Sequence, residues 1–193
     1  MLIDIICIII AYLLGSVSSA IIICKLFGYA DPRTLGSGNA GATNVMRVAG
    51  KKLAILTLVF DVLKGFVAVM IARTLGLDNF LLGVVALAAF LGHLYPIFFK
   101  FKGGKGIATG LGVMLALSLS LGSAVIITWF LIALIFRYSS LAALIAFILA
   151  PIYAFFLTNR QYVIALFVIT LFILWSHRAN IRRLAQGIEP KIR

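Results

Sequence analysis

Long runs with little or no charge, separated by short polar segments, decide the environment of this chain. Residues 106–136 contain no charged side chain, and neither do residues 139–157 or 162–175. A hydrocarbon crossing needs about 20 apolar residues in a helix. Unpaired backbone groups are too costly in lipid for any open structure, so such runs cross as helices. The chain is 64% hydrophobic and 11% charged, against roughly 25% charged in an ordinary soluble domain. The expected fold class is an all-α polytopic membrane protein, with residues 1–193 forming a single membrane domain.

The runs place spans at about residues 2–27, 53–75, 80–99, 139–157 and 162–175. Residues 106–136 are too many for one ordinary helix and few for two. Two tilted or short spans turning near 118–123 are expected there. That makes seven transmembrane helices, with the N-terminus outside and the C-terminus cytoplasmic. With this count one side collects all of the 17 basic residues except Lys64, Arg73 and Arg160. By the positive-inside rule that side is cytoplasmic. The net charge of +12 follows largely from this asymmetry, with anionic lipid or an anionic substrate as a second cause. Nucleic acid is not an expected partner, because no soluble basic domain exists to carry it.

Residues 1–10 lack a basic leader segment and carry Asp4, so no cleavable signal is expected. Cys7 and Cys24 both lie in the first apolar run and point neither to a disulfide nor to metal. Gly15 and Ser19 fit a small-xxx-small pattern that brings helices close together. Asp61 and Lys64 sit three residues apart within a span. An unpaired charge there is costly, so the two are expected to pair inside the bundle. Lys64 facing a site is the functional alternative.

Three polar segments carry the chemistry, and all three fall on the expected cytoplasmic side. Residues 36–47, GSGNAGATNVMR, combine Gly36, Gly38 and Gly41 with the uncharged hydrogen-bonding side chains Ser37, Asn39, Thr43 and Asn44. Thr43 or Asn44 is expected to cap a short helix whose N-terminus attracts an anion. Arg47 adds a fork-shaped phosphate partner. Residues 92–109, GHLYPIFFKFKGGKGIAT, set Gly103, Gly104, Gly106 and Lys105 just after Pro96. Glycine lets backbone N–H groups approach closely and form an anion nest, to which lysine adds a point charge. A glycine turn with lysines facing headgroups is the plainer alternative. The stretch is not a Walker A loop, since Phe99 and Gly106 stand where that motif needs Gly and Ser or Thr. In residues 177–189, HRANIRRLAQGIE, His177, Asn180 and Leu184 share a helical face while Arg178 and Arg182 share another. Gly187 suits the helix C-cap.

Acidic residues are scarce in this basin: Asp31, Glu189 and the deeper Asp61. A divalent-metal lipid phosphotransferase needs a carboxylate cluster, so neither metal nor cofactor is expected. No Gly-x-Ser-x-Gly elbow occurs, and neither His93 nor His177 precedes an acid by four or five residues. Phosphate recognition without metal remains. A transporter of a phosphate-bearing solute is the main rival. It needs polar groups through the membrane depth, and only Asp61 and Lys64 clearly qualify.

The three segments, with residues 60–65 (FDVLKG), make the chain resemble the bacterial acyl-phosphate:glycerol-3-phosphate acyltransferase family over essentially its whole length. Ile107 stands where the family often has Val, and Ser176 precedes the histidine where a basic residue is common. The resemblance implies a multi-pass inner-membrane enzyme with its active site on the cytoplasmic side. It would move a fatty acyl group from acyl phosphate to the sn-1 hydroxyl of glycerol 3-phosphate, in the first acylation of phospholipid biosynthesis. Its partners would be those two substrates and membrane lipid. Carried over, Ser37, Arg47, Lys105 and His177 are the catalytic group. Gly36, Gly38, Asn39, Thr43, Asn44, Gly103, Gly104, Gly106, Asn180 and Arg182 bind substrate or phosphate.

Overall fold

A computed structural model describes residues 1–192. Arg193, counted above with the basic side, lies outside the described residues. The regular elements are all helical: α1 Leu2–Ser16, α2 Ser19–Leu26, α3 Ala42–Ala49, α4 Lys51–Thr74, α5 Asn79–Leu94, α6 Ile107–Leu117, α7 Leu119–Phe136, α8 Ser139–Leu157, α9 Tyr162–Ser176 and α10 Arg178–Ala185, with a 3-10 turn at Ile97–Phe99. Four helices are long and apolar enough to cross a membrane alone, and two bent pairs, α1–α2 and α9–α10, raise the number to six. Large apolar side chains such as Ile127, Phe130, Leu134, Phe156 and Ile164 point outward. That suits a lipid solvent and would be an aggregation liability in water.

Two spans depart from the simple reading. The first is broken, with α1 and α2 meeting at 43°. Val17 takes an extended conformation at the break, within the patch Gly15, Ser16, Ser18 and Ser19. Serine and glycine are weak helix formers. The Val17 carbonyl at the break accepts from Lys64 Nζ at 2.8 Å. The run 106–136 divides at Ser118, whose side chain accepts from Leu121 N and caps α7. The division is unequal. α6 has 11 residues, a rise of about 16 Å, well short of a hydrocarbon core of about 30 Å. Pro151 lies inside α8 without ending it, while Pro96 follows the end of α5.

Glycine sets the tightest helix contacts. A Cβ on Gly15 would strike the Ala89 carbonyl, and one on Gly92 the Tyr12 carbonyl, so α1 and α5 touch backbone to backbone. Gly112 meets the Val62 carbonyl in the same way, joining α6 to α4. Close approach of this kind stands in for a hydrophobic driving force, which lipid-embedded helices lack. The interior of the bundle is filled by Leu82, Val85, Phe90, Met114, Leu121, Phe147, Leu166 and Ile169. A second apolar cluster of Ala20, Ile21, Cys24, Ala40, Val45 and Ala54 lies under the first polar loop.

The bundle has two distinct ends. At one, Arg33 reaches Phe99 O, Lys105 reaches Asn180, Glu189 reaches Ser140, and Ile192 N reaches Arg137 O. At the other, Arg73 reaches Leu117 O, Ser120 reaches Leu157 O, and Tyr162 reaches Asn79. The three polar segments therefore share one end. Gly112→Leu forces four side-chain carbons into the Val62 backbone and is expected to lower stability by about 3 kcal/mol, read as a fall in the thermal midpoint in micelles. Gly83→Ala, whose methyl meets Ala165 Cβ at 3.3 Å and no other atom closer than 3.8 Å, is the control and should stay near wild type.

Candidate active site

The first polar loop is folded by one side chain. Asn44 is buried at the third position of α3. Its Oδ1 accepts from Ser37 N at 2.8 Å, and its Nδ2 donates to Pro32 O at 2.7 Å and Leu35 O at 3.0 Å. Both amide protons are thereby used in holding the loop. Asn44 shapes the turn that presents Ser37, and Gly36 at φ +60 leaves room for its Oδ1. The expected cap also differs: Gly41, not Thr43 or Asn44, precedes α3. Ser37, Thr43 and Arg47 are exposed, and Asn39 is half-buried. Arg33, ion-paired with Asp31 at 2.7 Å, donates to Phe99 O at 2.9 Å and so fastens this loop to the second. The bond holds the Asp31 carboxyl below its ordinary range.

In the second segment the anion nest expected at Gly103 and Gly104 does not form. Their N–H groups donate to Leu94 O at 3.1 Å and His93 O at 3.2 Å, the last carbonyls of α5. These glycines are small because their backbone lies against the end of α5. Gly106 is needed for two reasons, a φ of +88 and the Phe90 ring where a Cβ would go. It leads into α6, which no side chain caps. The anion-attracting feature of the segment is thus the uncapped N-terminus of α6 next to Lys105. Thr109, in that first turn, is wholly buried, and its hydroxyl has no partner among the described residues.

Lys105 joins the second segment to the third. Its ammonium donates to Asn180 Oδ1, and its carbonyl accepts from Ser176 Oγ at 3.3 Å. Asn180 Nδ2 donates to Glu189 Oε1 at 2.6 Å. Ser140 Oγ on α8 donates to the same oxygen at 2.6 Å, and Arg183 Nε donates to Oε2 at 2.6 Å. Glu189, 9% exposed, is therefore the centre of a closed polar network. Burial, with Arg183 and Arg47 nearby, lowers the Lys105 pKa to about 8, against an upward pull from Glu189. Arg47 of the first segment is thus among the charges that Lys105 feels.

His177 is 3% exposed. Its Nδ1 lies 3.0 Å from Ile173 O, which can only accept, so Nδ1 carries the proton and Nε2 a lone pair. Nε2 makes no bond to any described residue. Burial, then the Lys105 charge, pushes the pKa down to about 4, so the imidazole is neutral near pH 7. Asn180 is buried beside it as expected, and Gly187 at φ +70 closes α10. Arg182 is exposed, whereas Arg183 is half-buried and bonded into the network. The arginine bonded into the network is Arg183. Its spacing of three from Asn180 was a readable signal. Ser140 and Glu189, 49 residues apart, had none.

At this end of the bundle Lys105, Arg47 and Arg183 accompany a neutral imidazole and an uncapped helix N-terminus, and the carboxylates of Asp31 and Glu189 are already bonded. Such a site accepts anions. The family model described as glycerol-3-phosphate acyltransferase matches residues 5–187. A glycerol-3-phosphate acyltransferase of Thioalkalivibrio sulfidiphilus is 55% identical over 94% of this chain and 90% of its own. One of Coxiella burnetii is 50% identical over 98% of both. The crystal structure of PlsY, an integral membrane glycerol 3-phosphate acyltransferase, in its glycerol 3-phosphate form superposes with a TM-score of 0.93 at 43% identity, covering 98% of this chain and 96% of that one. Its lysophosphatidic acid form gives 0.90 at the same identity, over 97% and 94%. The protein is an all-helical integral membrane protein and belongs to the glycerol-3-phosphate acyltransferase family.

Proposed function

We propose that the protein transfers a fatty acyl group from acyl phosphate to the sn-1 hydroxyl of glycerol 3-phosphate, releasing 1-acyl-glycerol 3-phosphate and inorganic phosphate. The observation that carries the reading is the Lys105 ammonium bonded to Asn180 of the third segment, with the first loop fastened to the second through Arg33 and Phe99 O. Both substrates bear phosphate, and adjoining cationic groups on separate loops can grip two anions side by side. Ser37 and Arg47 bind and activate on one flank. The α6 N-terminus with Lys105 binds from below. His177 and Asn180 orient the glycerol moiety, and Arg183 takes the part assigned above to Arg182.

The hydroxyl oxygen attacks the acyl carbon, and the bond from that carbon to the phosphate oxygen breaks with its electron pair leaving on phosphate. An acyl phosphate is a reactive anhydride, so proximity and charge neutralisation are the main demands. The hydroxyl proton has two possible acceptors. His177, with its pKa near 4, is a weaker base than a phosphate oxygen, whose second pKa is about 6. Substrate phosphate therefore takes the proton, and His177 positions the nucleophile.

We also propose seven crossings of the bacterial inner membrane, α6 among them, with Met1 outside and the site in the cytoplasm. The two separate sets of end contacts and the asymmetry of basic residues support this. In intact cells an impermeant maleimide should label Asn159→Cys and leave Gln186→Cys unlabelled until permeabilisation. The reverse pattern sinks the orientation.

The donor is tested with labelled glycerol 3-phosphate and the protein in lipid. Lysophosphatidate should form from acyl phosphate and not from acyl-CoA. Lys105→Ala and Arg47→Ala each remove a charged hydrogen bond worth about 1.5–3 kcal/mol and should cut kcat/KM roughly 10- to 100-fold. His177→Ala should raise KM with little change in kcat; a loss in kcat alone would make it the base.

Lys105 gives a pH signature. Its pKa near 8 rises when an anion binds beside it. Binding of glycerol 3-phosphate at pH 8–9 should then take up protons, and affinity should fall as pH climbs through 8. Calorimetry in buffers of different ionisation enthalpy reads the uptake, which Lys105→Ala should abolish.

A further inference from the structure

Asp61, Lys64 and His93 form a buried polar cluster that the reaction as described leaves unused. Asp61 is 2% and His93 6% exposed. Lys64 Nζ lies 2.8 Å from Asp61 Oδ1, donates to Val17 O at 2.8 Å, and sits 2.9 Å from His93 Nδ1. An ammonium has protons and no lone pair, so at 2.9 Å His93 Nδ1 accepts from Lys64, while Asp61 Oδ1 is an ionic neighbour of both, 2.8 Å from Nζ and 3.6 Å from Nδ1. The imidazole then carries its proton on Nε2. That edge faces the glycine loop: a Cβ on Gly104 would run into His93 Nε2 and would lie 2.7 Å from Ala40 O. The His93 carbonyl also accepts from Gly104 N at 3.2 Å. The His93 ring is the floor on which Ala40 of the first loop and Gly104 of the second meet.

A buried ion pair is poor value for stability alone, since apolar side chains of similar volume often do as well or better. What this cluster provides and a leucine does not is a fixed ring with a proton aimed at the loop junction. We propose that His93, oriented by Lys64 and Asp61, is a positioning residue that sets the spacing between the loop bearing Ser37 and Arg47 and the loop bearing Lys105. The inference rests on the acyl-transfer reading above. Each loop keeps its own phosphate contacts when the floor is disturbed, so binding survives. The relative placement of the two substrates does not, and misplacement by about 1 Å can cost 100-fold in rate.

The test measures steady-state kinetics for both substrates, and thermal midpoints, on the full-length protein in lipid. The variants are His93→Ala, His93→Gln, His93→Asn and the charge-free double variant Asp61→Asn with Lys64→Met. His93→Ala and the double variant should lose roughly 10- to 100-fold in kcat, with each KM within about threefold of wild type. Gln places an N–H where imidazole Nε2–H stood and should restore most of the rate. Asn keeps an acceptor for Lys64, falls short of Gly104 and should not. Wild-type kcat in the alanine variant, a loss confined to KM, or no difference between Gln and Asn overturns the proposal. If His93→Ala does not fold, the double variant decides on the same kcat criterion. Wild-type protein that makes no lysophosphatidate would sink the acyl-transfer reading itself, a separate outcome.

Discussion

The bond from the Lys105 ammonium to Asn180 holds the active end of this protein together. It links the loop after α5 to the helix after α9, two segments 75 residues apart. From Asn180 the network continues through Glu189 to Ser140 on α8 and Arg183 on α10. Each charge in it is met by a partner, as burial demands. Lys105 has a neutral acceptor that an anion can replace. Arg183 bonds Glu189 through Nε, which leaves its remaining donors for a ligand.

The membrane explains why the rest is built as it is. Lipid gives helices no hydrophobic reason to associate, so contact comes from close backbone approach at Gly15, Gly92 and Gly112. Those contacts let α5 and α6 begin and end at heights where Gly103 and Gly104 can bond to the last carbonyls of α5. The same economy appears at the break in the first span. The Val17 carbonyl there accepts from Lys64. One lysine therefore serves the broken helix, Asp61 and His93 together.

His177 shows how location overrides residue type. A histidine at a membrane exit reads as a general base by habit. Burial and the neighbouring Lys105 leave it neutral and weakly basic. Its Nδ1 proton is committed to Ile173 O. The ring is therefore a fixed acceptor, and the phosphate of a substrate is the stronger base.

The sequence by itself determined the helical membrane class, the three polar segments, the pairing of Asp61 with Lys64, and the family. Those follow from local composition, from the cost of charge in lipid, and from long motifs that survive as contiguous strings. It also marked Lys105, His177 and Asn180, which the structure brings together. It did not show that Asn44, Gly103 and Gly104 bond within the protein, because a hydrogen-bonding group looks the same in sequence whether its partner is a ligand or its own backbone. It did not show that Arg183 rather than Arg182 joins the Glu189 network, because helix phase beyond a bend depends on the bend. Ser140, Glu189 and His93 became legible only in the tertiary structure. Their partners lie on other helices, and backbone packing at glycine contacts, not residue spacing, decides which side chains meet.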